Sequence, residues 1–130
     1  MCIFCDIAAK KIPSSTIYED DNMLAILDLS QVTKGHCLLI PKNHYDNILE
    51  MNEEELKNLL SPINKISSLL KDKLNCKGFN VLSNINEVAG QSVMHAHIHL
   101  IPRYSNDEIP INSNKPSGID INEVYDEIMK

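Results

Sequence analysis

The chain has no apolar run approaching the roughly 18 residues that span a bilayer. It also has no segment patterned as a secretory signal, so the sequence predicts a cytoplasmic protein without a membrane partner. Basic residues are not in excess: 12 lysines and arginines stand against 18 acids, giving a net charge of −6 and a pI near 5.2. That balance argues against a nucleic-acid binder, which would carry a basic stripe. An anionic ligand would have to be held by local donors, because the overall field opposes it. Internal repeats and low-complexity tracts are absent from the 130 residues, and an apolar content of 43% excludes a disordered chain. One domain follows, long enough to build a core without disulfide staples. Residues 1–104 read as its core and 105–130 as a C-terminal tail.

Cysteines are few, and in a reducing compartment disulfides are not expected. Cys37, in an apolar run, and Cys76, before a turn, read as small buried thiols. Cys2 and Cys5 make a Cys-x-x-Cys pair. A redox motif would want a preceding strand and a surrounding βαβ unit, and neither is present. As a metal motif the pair supplies two ligands and needs two more from elsewhere; an empty site with reduced thiols is the competing reading.

The N-terminal stretch Cys2 to Lys10 reads as a short helix, with Ile3, Phe4 and Ile7 on one face and Pro13 and Ser14 ending it. Thr16 to Glu19 and Met23 to Asp28, joined by Asp20-Asp21-Asn22, predict a hairpin. His36 to Ile40 is a continuous apolar strand closed by Pro41. Asn52, with Glu55 three residues on, caps a long helix whose stripe runs from Leu56 to Leu74, and Pro62 within it predicts a kink or break. Phe79 to Ser83 and Ser92 to Ile101 read as strands, Ser105 to Gly118 as a surface loop, and Asn122 to Lys130 as a closing helix. Short links between strands suit an α+β domain: an antiparallel sheet of about five strands, with one long and one or two short helices on one face.

The most informative stretch is Gly90-Gln91-Ser92-Val93-Met94-His95-Ala96-His97-Ile98-His99. Alternation has the period of a strand, which would put three imidazoles on one face, about 7 Å apart from a rise of roughly 3.3 Å per residue. Burying three histidines without partners is costly. Three readings compete: core histidines satisfied by hydrogen bonds, a His-x-His metal pair, and a neutral imidazole attacking phosphorus. Gly90-Gln91-Ser92 favours the last. It places a permissive backbone and two polar side chains where donors to a phosphate or leaving group are wanted.

The run Gly-Gln-Ser-Val-x-His-x-His-x-His followed by two apolar residues resembles the signature of the histidine-triad (HIT) superfamily of nucleotide hydrolases and transferases. Cys2-Ile3-Phe4-Cys5, Ile12-Pro13, Tyr18-Glu19-Asp20-Asp21, Leu27-Asp28-Leu29-Ser30, Thr33-Lys34-Gly35-His36 and Ile40-Pro41-Lys42-x-His44 fall in the family's order and spacing. The resemblance implies that His97 is the nucleophile taking the nucleotidyl group at the α-phosphate of a purine nucleotide, with AMP or GMP released by water. It implies His99 as a phosphate contact, Ser92 and Gln91 as donors, Asn84 as a polar contact and His36 behind the nucleophile. Asp28 would hold the ribose hydroxyls. Ile3, Phe4, Ile7, Ile26 and Leu29 would form the base slot, for which ordinary core packing is the competing reading. His44 and His95 would join Cys2 and Cys5 around a structural zinc, with no organic cofactor. A homodimer through the long helix and the Phe79 strand is also implied.

Two departures keep the substrate open. The family's purine phosphoramidases carry two glycines after the triad and a tryptophan-containing tail, whereas this chain has Leu100-Ile101-Pro102-Arg103-Tyr104 and no tryptophan. The diadenosine polyphosphate hydrolases have a similar Pro-Arg but threonine where Ser92 stands. A phosphoramidate hydrolase, a diadenosine polyphosphate hydrolase and a nucleotide-binding module with negligible turnover are the alternatives.

Overall fold

A computed structural model describes residues 2–106 and 117–130. In chain order the elements are α1 (Ile3–Ala8), β1 (Thr16–Glu19), β2 (Met23–Leu27), β3 (Cys37–Pro41), α2 (Glu53–Leu60), α3 (Ile63–Leu74), β4 (Gly78–Leu82), β5 (Ile98–Arg103) and α4 (Ile121–Met129). The strands form one antiparallel sheet in the order β1-β2-β3-β5-β4. The α+β class and the antiparallel sheet are therefore as the sequence predicts. Most of the Ser105 to Gly118 stretch, read as a loop, lies outside the described residues.

Alternation along β2 and β3 sorts two cores onto opposite faces. Met23, Ala25, Cys37 and Leu39 join Leu59 of α2 and Ile66 and Leu70 of α3. Leu24, Ile26, Leu38 and Ile40 face the other way and pack on Phe4 and Ile7 of α1. This corrects the expectation of helices on one face: α1 covers the second face, because strands that are apolar on both sides need cover on both. The long helix is broken, as Pro62 predicts. Ser61 ends α2 with its N–H on the Lys57 carbonyl, and Pro62, which lacks a backbone donor, opens α3. The Asn52 side chain caps α2 by accepting the Glu55 N–H at 2.8 Å.

The histidine stretch also needs correction. Only His99 lies on β5, which begins at Ile98; His95 and His97 sit in an irregular segment before it. The ladder stops because its backbone groups are taken elsewhere. The Ala96 N–H donates to the Tyr45 carbonyl at 2.6 Å, and the Pro41 carbonyl accepts the His95 ring at 2.8 Å. The facing position on β3 would be Pro41, which has no N–H to give. Alternation still holds on β5 itself. Ile98 and Leu100 enter the α2–α3 core, while His99, opposite Leu38, faces the α1 side.

Candidate active site and metal centre

The loop between β2 and β3 is tied into a closed ring by one side chain. Gln31 donates through Nε2 to the carbonyls of Asp28 (2.6 Å) and His36 (2.7 Å), and its Oε1 accepts the Gly35 N–H at 2.8 Å. The Asp28 N–H meets the His36 carbonyl at 3.0 Å across the loop base. Ser30 then orients both ends: its N–H binds Asp28 Oδ1 at 2.8 Å, and its carbonyl lies 3.2 Å from His36 Nδ1. Sequence reasoning singles out Asp28 and His36 but not Gln31, which carries no periodic or motif signal of its own.

His36 and Asp28 meet the triad at His99. His36 Nε2 lies 2.9 Å from His99 Nδ1 and 3.6 Å from Asp28 Oδ2. Two proton arrangements fit. With the Val32 N–H donating to His36 Nδ1 at 3.3 Å, His36 Nε2–H donates to His99 Nδ1 and leaves His99 Nε2–H free. With Nδ1–H donating to Ser30, the His99 proton moves to its Nδ1. Either way His99 is uncharged at neutral pH. Burial, reinforced by the nearby His97 and His36, pushes its pKa down to about 4.

His97 has a fixed tautomer. Its Nδ1 lies 2.7 Å from the His95 carbonyl, which can only accept, so the proton is on Nδ1 and Nε2 carries the lone pair. The His97 carbonyl in turn accepts the Ser83 hydroxyl at 2.6 Å, a contact the sequence does not announce. Phe4 stands edge-on to His97 and to His95, with ring centroids 5.2 and 5.8 Å away, and the His97 and His99 rings are 5.1 Å apart.

These groups open on a cavity of about 290 Å³, close to the lower end of small-molecule pockets. Ser92, His97, His99 and Asp28 line one part, and Ile3, Phe4, Ile7 and Ile26 the apolar part. Among the described residues Asp28 is the one formal charge in this lining. Ile7 serves both core and slot, whereas Leu29 lines the rim and is otherwise fully exposed, so core packing does not describe it. Ile12, Pro13, Ser14, Ser15, Leu27, Leu38 and Val93 also line the cavity, a role that nothing in their local sequence announces. His36 lies behind His99, outside the lining. Gln91 is buried, its amide committed to Asn86 N–H and to the Asp46 and Val93 carbonyls, and Asn84 reaches the Gly90 carbonyl at 3.5 Å. Both therefore shape the 84–91 turn and do not line the cavity.

The two remaining histidines converge on the N-terminal cysteines. Cys2 Sγ is 3.2 Å and Cys5 Sγ 3.5 Å from His95 Nδ1, and Cys5 Sγ is 3.4 Å from His44 Nδ1. Cys2, Cys5, His44 and His95 could hold a metal ion, with ligand atoms all within 4.8 Å of one another. The donor chemistry fits one. His95 Nε2–H donates to Pro41 O at 2.8 Å and His44 Nε2–H to Asp46 Oδ1 at 3.0 Å, which fixes both Nδ1 lone pairs toward the cluster. Those lone pairs are only 3.1 Å apart, a repulsion that a cation between them relieves. The thiols tell the same story. Burial, with Cys2 beside it, pushes Cys5 up to about 11. Burial also opposes ionisation of Cys2, but the Cys5 N–H and other neighbouring hydrogen bonds outweigh it and lower its pKa. Two adjacent thiolates need a positive charge to coexist.

The HIT domain model matches residues 9–106. Protein hit of Bacillus subtilis (strain 168) is 50% identical over 103 residues, covering 79% of this chain and 71% of its own length. An adenylylsulfatase of Arabidopsis thaliana is 38% identical over 106 residues, 82% of this chain and 54% of that protein. A crystal structure from Streptococcus mutans UA159 superposes with a TM-score of 0.87 at 44% identity, covering 98% of this chain and 82% of that one. A zinc-bound histidine triad family protein from Mycobacterium smegmatis superposes with a TM-score of 0.79 at 32% identity, covering 88% and 84%. With most of its length inside the match, and with His97 and His99 lining one cavity, the chain belongs to the HIT family of nucleotide-binding proteins and hydrolases.

Proposed function

We propose that the protein is a cytoplasmic nucleotide hydrolase that cleaves purine nucleoside phosphoramidates, or related α-phosphate derivatives, through a nucleotidyl group on His97. The observation that carries this reading is the 2.7 Å contact between His97 Nδ1 and the His95 carbonyl, which leaves the Nε2 lone pair for attack. His97 Nε2 forms the bond to phosphorus as the leaving group departs from the opposite side, protonated by the Ser92 hydroxyl, which regains its proton from the water that attacks in the next step. Water then attacks the same phosphorus, the P–N bond to His97 breaks, and the nucleoside monophosphate leaves. His99, neutral and backed by His36, offers Nε2–H to a phosphate oxygen without adding a positive ring beside the nucleophile. Asp28, a carboxylate on the cavity lining, accepts from the ribose hydroxyls, and Ile3, Phe4, Ile7, Ile26 and Leu29 take the base. Gln91 and Asn84 hold the turn that carries Ser92. The adenylylsulfatase among the relatives supports an adenylyl substrate.

Cys2, Cys5, His44 and His95 would hold a zinc ion, a choice supported by two sulfur and two nitrogen donors and by the zinc-bound relative. Four protein ligands leave no open position, so the metal supplies structure: it ties α1 to the end of β3 and to the carbonyl that orients His97. The homodimer, with α3 and β4 as its contact, belongs to the same reading.

The test uses adenosine phosphoramidate with the wild type and with His97→Ala. Wild type should release AMP and show a mass increase of one adenylyl group on rapid quench, and the variant should do neither. AMP release by His97→Ala at an undiminished rate would overturn the assignment.

A further inference from the structure

A second cluster lies at the cavity wall, with Asp28 and His99 on the lining and His36 buried behind them: the three place one oxygen and two ring nitrogens within 4.8 Å of one another. We propose that these three residues form a second cation site, selective for borderline divalent ions such as zinc or cobalt, and that cation and nucleotide exclude each other there. The donor set is two imidazoles and one carboxylate, which suits such ions better than magnesium or calcium.

Orientation is already built. Ser30 holds two of the three ligands by its own peptide groups, its N–H on Asp28 Oδ1 and its carbonyl beside His36 Nδ1. That leaves Asp28 Oδ2 facing His36 Nε2 at 3.6 Å. Second-sphere contacts of this kind fix the ligating atom of a carboxylate or imidazole. No proton need be released. The His36 proton moves from Nε2 to Nδ1, where the Ser30 carbonyl accepts it, and His99 keeps its proton on Nε2. The lone pairs of His36 Nε2 and His99 Nδ1, 2.9 Å apart, then both face the ion. They separate to about 3.3 Å, as ligand distances near 2.0 Å require.

Electrostatics favour a cation as well. Among the described residues the cavity lining carries one carboxylate and neither lysine nor arginine, and the chain as a whole is at −6. Three ligands leave open positions for water, unlike the closed Cys2–Cys5–His44–His95 set. Exclusion follows from one shared group: Asp28 Oδ2 cannot serve the ion and the ribose hydroxyls together. Uptake of the ion stands on this geometry alone, whereas exclusion rests on the nucleotide reading.

The experiment starts from protein carrying one equivalent of zinc and titrates in cobalt, read by calorimetry and visible absorption. Wild type should bind one further cobalt per chain with ligand-field bands but no thiolate-to-cobalt charge transfer. Asp28→Asn and, separately, His99→Gln should each weaken this binding at least about tenfold, and AMP should weaken it in the wild type. The site is overturned if no further cobalt binds, if it binds with a thiolate band, or if it survives both substitutions. Binding that obeys the variants but ignores AMP upholds the site and counts against the nucleotide reading.

Discussion

At the scale of single residues, the site depends on which atom a carbonyl or carboxylate claims. The His95 carbonyl claims the Nδ1 proton of His97, and the Ser83 hydroxyl holds the His97 carbonyl at 2.6 Å. Ser83→Ala removes one hydrogen bond, worth about 1 kcal/mol. AMP release should slow about fivefold, with the decrease in kcat and not in KM if the loss is one of His97 positioning. Steady-state kinetics on adenosine phosphoramidate reads the difference. Glu19 shows the same logic at the surface. Lys10 and Lys42 bind its two carboxylate oxygens, at 2.5 and 2.7 Å, and hold its pKa down to about 2 from 4.5. Because the folded pKa is depressed, this contribution is present above about pH 4.5 and disappears as pH falls toward 2. Urea unfolding should show Glu19→Gln less stable than wild type at pH 6, with the gap narrowing below about pH 4.5 and closing only near pH 2.

At the scale of elements, close approach decides what the loop before β3 tolerates. Gly35 has φ +93, and a Cβ there would sit 2.6 Å from Leu74 Cδ1 of α3 and 3.2 Å from Pro102 Cγ of β5. A left-handed backbone and a blocked Cβ combine, so Gly35→Ala should cost about 1–3 kcal/mol in chemical denaturation. The same variant should reduce nucleotide binding, since Gly35 N–H is one of the bonds through which Gln31 closes the loop between Asp28 and His36. Replacing the cap of α2, Asn52→Ala, should cost only about 1 kcal/mol and leave the cavity, built from other elements, unchanged in AMP affinity.

At the scale of the molecule, the N-terminal cysteines join parts of the chain that sequence distance keeps apart. Cys2 and His95 are 93 positions apart and their ligand atoms 3.2 Å apart. Chelation should therefore lower Tm by about 10 °C or more, the scale of withdrawing a ligand held about 1,000-fold above its Kd. Thiol labelling gives a sharper readout. Cys37 and Cys76 are buried, with the Cys37 thiol pushed up to about 12 by burial, and should resist reagent in the folded protein. Cys2 and Cys5 should react after chelation and be protected when zinc is restored. Protection that ignores zinc would remove the metal from this account.

What the sequence determined by itself are the features written in short-range chemistry. The hairpin, the capped helix at Asn52, the break at Pro62 and the apolar strands of the core are legible because local propensity and periodicity fix them within a few residues. His97, His99, Asp28 and the Cys2–Cys5 pair are legible as side chains whose chemistry is hard to explain as packing. Tertiary structure decided the rest, because hydrogen-bond partners distant in sequence leave no local pattern. It ended the histidine strand at Ile98 by giving the Ala96 N–H to Tyr45, and it placed α1 on the second face of the sheet. It turned Gln91 into a loop tie, recruited Gln31 and Ser83, and brought Asp28, His36 and His99 to one point. A side chain's chemistry belongs to its residue; the lone pair it presents, and to what, belongs to the fold.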